Sequence, residues 1–213
     1  MSVSFFIVKP YLPHGRVITG GNAGAEMTTN SKEAILAAAK RSAQAHGYGG
    51  LNFRDLADEV GIKAASIYHH FPSKADLGTA VARRYWEDTE SDLDRLLAEA
   101  PDPLSALRQY PQIFRRSLES GNKLCLCSFM SAEYDDLPQP VKKEVQTFAD
   151  VNVVWLGKVL SAAKVVPAKK SEERARAIFA AVAGAQLMAR SRSDIALFDT
   201  LIENYTAAGL LPT

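Results

Sequence analysis

The chain is short of several features, and each absence removes a class of function. Its 213 residues include two cysteines, too few for a disulfide scaffold. No apolar run approaches the roughly 20 residues needed to span a bilayer. The run from Ser4 to Val8 is too short for a signal-peptide core, and no basic residue precedes it. A cytoplasmic, reducing setting is therefore expected. The net charge is +1, which points neither to a polyanion binder nor to an acidic tail. No segment alternates like a strand. There is no nucleophile elbow, no His-Glu-x-x-His and no Walker loop; the glycines from Gly20 to Gly24 lack a following Lys-Ser/Thr pair. His14, His46, His69 and His70 have no partner at a chemical spacing. A non-enzymatic chain without metal or cofactor is the expectation.

What is present is helical. Hydrophobic residues make up 47% of the chain, enough for a substantial core. The stretch around which the rest is organised is Leu51–Lys74, LNFRDLADEVGIKAASIYHHFPSK. Asn52 can cap a short helix with Asp55 in its first turn, where a carboxylate meets free N–H groups. Leu56 and Val60 share one face. Gly61 is suited to the left-handed backbone that ends a helix, and Ile62 plugs the turn. A second helix runs from about Ala64 to His70 with Ile67 inward. Pro72 stops it, and Ser73 with Asp76 caps the next. Two short helices about a glycine-containing corner are the pattern of a helix-turn-helix, whose second helix enters a DNA major groove. From Ser31 to Lys74 six basic residues (Lys32, Lys40, Arg41, Arg54, Lys63, Lys74) stand against four acidic ones (Glu33, Asp55, Asp58, Glu59). That net +2 permits DNA without arguing for it.

Around this stretch the reading gives about nine helices. Met1–Glu26, punctuated by glycine and proline, reads as an extension outside the fold, either a loose tail or a basic arm (Lys9, His14, Arg16) for a DNA groove. Residues 27–74 form the DNA-binding unit. Its first helix runs from about Ser31 to His46, capped by Asn30 with Glu33 and inward at Ile35, Leu36, Ala39 and Ala43. A long helix from Lys74 to about Glu99 joins this head to a larger domain, 75–213. There, helices are expected from Asp102-Pro103 through Leu118, from Lys123 to Tyr134, from Val141 to Ala163, from a Ser171 cap to Arg190, and from Asp194 to Ala208.

GIKAASIYHHFPSKADL resembles the signature of the TetR family of transcriptional regulators, and the wider likeness covers about Ser31 to Leu77. The resemblance implies an all-α dimer that binds a palindromic operator on double-stranded DNA, most often as a repressor released by a small-molecule effector. Alanines at 64 and 65 and Ser66 would let α-helical backbone approach base edges. By resemblance Tyr68 and His69 contact the backbone or bases, Lys74 a phosphate, and Arg54 lies in the groove. Lys63 departs from the family's usual Ser or Thr, losing a cap worth roughly 1 kcal/mol but adding charge near DNA.

In the larger domain Trp86, Tyr110, Phe114, Phe129, Met130, Tyr134, Phe148, Trp155 and Met188 are candidates to line an effector pocket, or are simply core. Cys125 and Cys127, two apart and so about 200° apart around a helix axis, do not converge on a metal. They are small buried residues or, with Lys123 nearby to lower a thiol pKa, electrophile or oxidant sensors. Dimerisation is expected through the last two helices, where Ala180, Ala181, Ala183, Gly184 and Ala185 form a small-residue surface and Leu197, Leu201 and Leu210 add apolar area. A helical ligand-binding protein whose helix-turn-helix is a scaffold corner is the competing reading.

Overall fold

The computed structural model describes the backbone of residues 23–213 and the side chains of residues 31–213. The readings made for the first 22 residues lie outside what is described; Asn30, expected to cap the first helix, instead falls inside the helix Ala23–His46 and does not start it. Among the described residues there are ten α-helices, two 3-10 turns and no strand. In chain order the helices are α1 (Ala23–His46), α2 (Phe53–Val60), α3 (Ala64–His70), α4 (Lys74–Glu99), α5 (Pro103–Gln109), α6 (Pro111–Glu119), α7 (Leu126–Ala132), α8 (Gln139–Ala162), α9 (Ser171–Arg192) and α10 (Ile195–Ala207).

The all-α expectation holds, with four local differences. Helix α1 begins at Ala23 rather than Ser31, because nothing in Ala-Gly-Ala-Glu-Met-Thr-Thr-Asn breaks a helix strongly enough to stop it. The helix expected from Pro103 through Leu118 is two, divided at Tyr110–Pro111, because proline has no N–H to donate and its ring meets the carbonyl four residues back. The helix expected over Lys123–Tyr134 shrinks to seven residues, and a 3-10 turn follows at Tyr134–Asp136. Ser171 begins α9 but caps nothing; its hydroxyl meets that of Ser161 at 2.8 Å instead.

Buried apolar residues form one continuous cluster from Ile35 to Leu211. The small head therefore shares its core with the larger domain, as a unit of its size requires. The long α4 packs on α1 and on α8. Gly78 makes this possible: a β-carbon there would lie 2.7 Å from the Tyr48 ring and 3.3 Å from Val141. A second tie is polar. Glu133, just past α7, accepts a hydrogen bond from the Tyr48 N–H at 2.6 Å and from the Gly49 N–H at 3.4 Å. A carboxylate of the larger domain thus satisfies free amides in the loop that leads into α2.

Candidate nucleic-acid interface and inner cavity

The corner of the motif forms as its residues dictate. The Asn52 side chain accepts from the Arg54 N–H at 2.9 Å. Gly61 adopts φ 75°, ψ 32°, and the Ile62 N–H reaches back to the Ala57 carbonyl at 2.9 Å, closing a left-handed helix end. Helix α3 then starts at Ala64 behind Lys63, whose side chain caps nothing. Ser73 accepts from the Asp76 N–H at 3.2 Å and donates to its carboxylate at 2.7 Å, so α4 starts on a full cap.

This geometry sorts the candidate reading residues. Ile67 and Phe71 are buried and anchor α3. Lys63, Ala65, Ser66, Tyr68 and His69 are exposed along its outer face, with Ala64 half-buried. Tyr68 is 56% exposed although its ring leans on Phe53 at 4.7 Å. Arg54 is exposed at the start of α2. Arg54, Asn52, Ala64, Tyr68 and Lys74 line one groove of about 690 Å³ between α2, α3 and the start of α4. Lys74 is held more firmly than its sequence suggests: its ammonium donates to the Gly49 carbonyl at 3.1 Å and lies 4.7 Å above the Tyr48 ring. The groove combines a helix N-terminus, two cations and a phenol, groups that bind phosphate oxygens, beside a short helix with small side chains at its tip.

The nine effector-pocket candidates do not form one lining. Tyr110, Phe114, Phe148 and Trp155 come together: Tyr110 stacks on Trp155 at 5.8 Å, Phe114 meets it edge-on at 5.7 Å, and Phe179 bridges Phe114 to Phe148 at 6.2 and 6.1 Å. Within this cluster the Tyr110 hydroxyl donates to Asn152 at 2.9 Å, and Asn152 donates to the Phe148 carbonyl at 2.8 Å. Trp155 is 5% exposed, and its indole N–H has no acceptor among the described residues. Met130 is buried. Trp86 instead donates to Glu144 at 2.8 Å. Tyr134 and Met188 are on the surface. Phe129 belongs to a separate cavity between α7 and α9, with Leu124, Ser128, Ala132, Gly184, Leu187 and Arg190. Sequence spacing missed this cavity, because Ala183 and Gly184 read as a contact surface and Arg190 as a helix end.

The cysteines differ from expectation. Cys125 precedes α7 with φ −53°, ψ 129° and only Cys127 is helical, so the two are not related by helix geometry. Both are buried. Burial pushes both thiols up from their ordinary pKa, the reverse of the lowering expected from Lys123, and the protonated thiol is a poor nucleophile. Gln186, buried, receives the Cys125 N–H at 3.1 Å and donates to the Phe114 carbonyl at 2.7 Å, which fixes this corner. No group of three or more metal-ligating side chains occurs among the described residues, and no described helix is long and apolar enough to cross a membrane.

A helix-turn-helix head carried on a long helix that enters a larger, all-helical domain defines a class of helical DNA-reading regulators. Residues 35–81 match the model of the bacterial regulatory proteins of the tetR family. The chain is 39% identical over 61 residues to the HTH-type transcriptional repressor AcnR of Corynebacterium glutamicum and 31% identical over 91 residues to the nucleoid occlusion factor SlmA of Vibrio vulnificus. Those matches take in 29% and 43% of this chain and span 32% and 46% of the relatives' own lengths. The fold matches a TetR transcriptional regulator from Legionella pneumophila with a TM-score of 0.78 at 28% identity, over 83% of this chain and 96% of that one. Over residues 35–81 the chain thus resembles the tetR family, and its fold as a whole is similar to that of a TetR regulator at 28% identity.

Proposed function

We propose that the chain is a dimeric transcriptional regulator that binds a palindromic operator and represses until a small molecule releases it. The observation that carries the reading is the outward face of α3, where Lys63, Ala65, Ser66, Tyr68 and His69 are all exposed while Ile67 and Phe71 hold the helix in place. In this reading Ser66 and the alanines meet base edges, Arg54 reads a base or phosphate beside them, and Tyr68 and Lys74 bind the backbone.

Two heads must sit about 34 Å apart, one turn of DNA, to read two half-sites. The face that pairs two copies is α8 with α9, rather than α9 with α10. Val154 on α8 is 70% exposed and Leu187 on α9 57% exposed, and Met188 lies beside it. Small residues at Gly157 and Ala180 continue the same surfaces. Of the α10 side chains, Phe198 is buried and Leu201 and Ile202 pack on the chain's own core, so less of that helix is free for a partner.

An effector acts by binding one spacing of the heads better than another, and α4, which touches α1 and α8, transmits the difference. The test is a gel shift with DNA from upstream of the chain's own gene across a salt series. Retardation that weakens steeply with salt and is competed by the same duplex, but not by an unrelated one, is expected. A chain that retards no duplex at any salt is not this regulator.

A further inference from the structure

The cavity between α7 and the C-terminal half of α9 has a volume of about 490 Å³, within the roughly 300–1,000 Å³ of small-molecule sites. Leu124, Phe129, Ala132, Gly184 and Leu187 make an apolar wall, and the polar side chains on it are Ser128 and Arg190. A β-carbon added at Gly184 would meet no heavy atom within 4 Å, so the helix surface is bare at that point.

Arg190 is the informative residue. Its guanidinium lies over the Phe129 ring at 5.1 Å. Its one side-chain hydrogen bond among the described residues is a long one, 3.5 Å, to the Gln44 carbonyl of α1. Arg41, Arg83, Arg84 and Arg115 each meet a carboxylate; among the described residues Arg190 meets none. A guanidinium has five N–H donors in a planar fork. Held at an apolar cavity with most of them unused, it is complementary to a planar anion that carries an apolar tail.

We infer that this cavity binds a small monocarboxylate with an apolar chain or ring, its carboxylate on Arg190 and its tail along Leu124, Ala132 and Leu187. The same guanidinium reaches the head through Gln44, near the end of α1 and the Gly47–Gly49 loop that Glu133 holds. A carboxylate that takes Arg190 draws it from that carbonyl, so occupancy biases how the head sits; this last step rests on the regulator reading above. Leu187 also lies on the α8–α9 face proposed for pairing, so octanoate uptake that appears only as the chain is diluted to monomer assigns the cavity to a second copy and overturns the site.

The test uses sodium octanoate and 1-octanol titrated calorimetrically into the full chain. Octanoate is expected to bind at least about tenfold more tightly than the alcohol, the scale of a charge-assisted hydrogen-bonded pair. Arg190→Gln should erase that preference, so that acid and alcohol bind with equal affinity. Gly184→Leu should abolish uptake of both, with an unchanged circular dichroism spectrum. No heat at millimolar octanoate, equal affinity for acid and alcohol, or a preference that survives in Arg190→Gln overturns the site. Gel shifts run alongside separate the two readings. A chain that takes up octanoate but retards no DNA keeps the site and loses the regulator. One that retards DNA but takes up no octanoate loses the site alone.

Discussion

At the scale of single residues, burial decides what a charged group does. Glu144 is almost fully buried, yet it is partnered by Arg83 at 2.7 Å and by the Trp86 indole at 2.8 Å. Burial alone would raise its pKa, but the Arg83 and Trp86 hydrogen bonds hold it below the ordinary value of 4.5. A carboxylate whose folded pKa is depressed contributes stability that is present above its unfolded pKa and is lost as pH falls through the folded one. Urea midpoints of the chain and of Glu144→Gln, compared from pH 7 downward, should therefore differ most near neutrality and converge below about pH 4.5. A constant gap across that range would show that the carboxylate's charge contributes nothing. Lys74 makes the opposite case. It is proposed as a phosphate-binding residue and is also structural, since its ammonium is engaged with Gly49 and Tyr48. Lys74→Ala should lower DNA affinity for all sequences and reduce the salt slope by about one unit. An unchanged slope would mean that its bond to Gly49 is its whole role.

At the scale of elements, two joints set the position of the reading helix. One is the uncapped start of α3. Ser at 63 would supply the missing side-chain acceptor, so Lys63→Ser should raise stability by about 1 kcal/mol in a denaturant titration while weakening DNA binding through the lost charge. The other joint is the Glu133 carboxylate on the Tyr48 and Gly49 amides. Glu133→Ala removes both acceptors from a loop bounded by α1 and α2. Faster hydrogen exchange at Tyr48 and Gly49 is expected, with the amides of α8 unaffected. Exchange that rises equally in both places would mark general destabilisation instead of a released joint.

At the scale of the whole molecule, the proposed operator binding needs two copies to present two heads. If the pairing face is α8 with α9, a charge at its most exposed apolar position breaks it. Val154→Asp should halve the mass in solution measured by light scattering, leave the helical circular dichroism intact, and weaken DNA binding through loss of the second half-site. A dimer that survives Val154→Asp would return the interface to α9 and α10.

Much of this architecture was legible in order along the chain. The Asn52 cap, the left-handed Gly61, the Ile62 plug, the Ser73–Asp76 cap and the inward stripe of α8 depend on residues within a few positions of one another, and all are where local chemistry puts them. Pro111 is equally local in its effect, but it sits between Leu107 and Phe114, whose apolar spacing runs on across the break it makes. Which side chains of the head are exposed and which are buried was legible for the same local reason. The larger domain was not. Tyr110, Trp155, Phe129 and Met188 look alike as large apolar residues on helices, yet two stack in the core, one lines a cavity and one faces solvent. The sequence by itself determined most helices, the corner and the resemblance of the head to the tetR family. Only tertiary structure decided which faces stay open and which residues meet across the domains. Arg190 and Gln44 lie 146 positions apart, and Glu133 and Tyr48 85 apart. No local pattern records such pairs, because what brings them together is the packing of α1, α4, α7 and α9 around a common core.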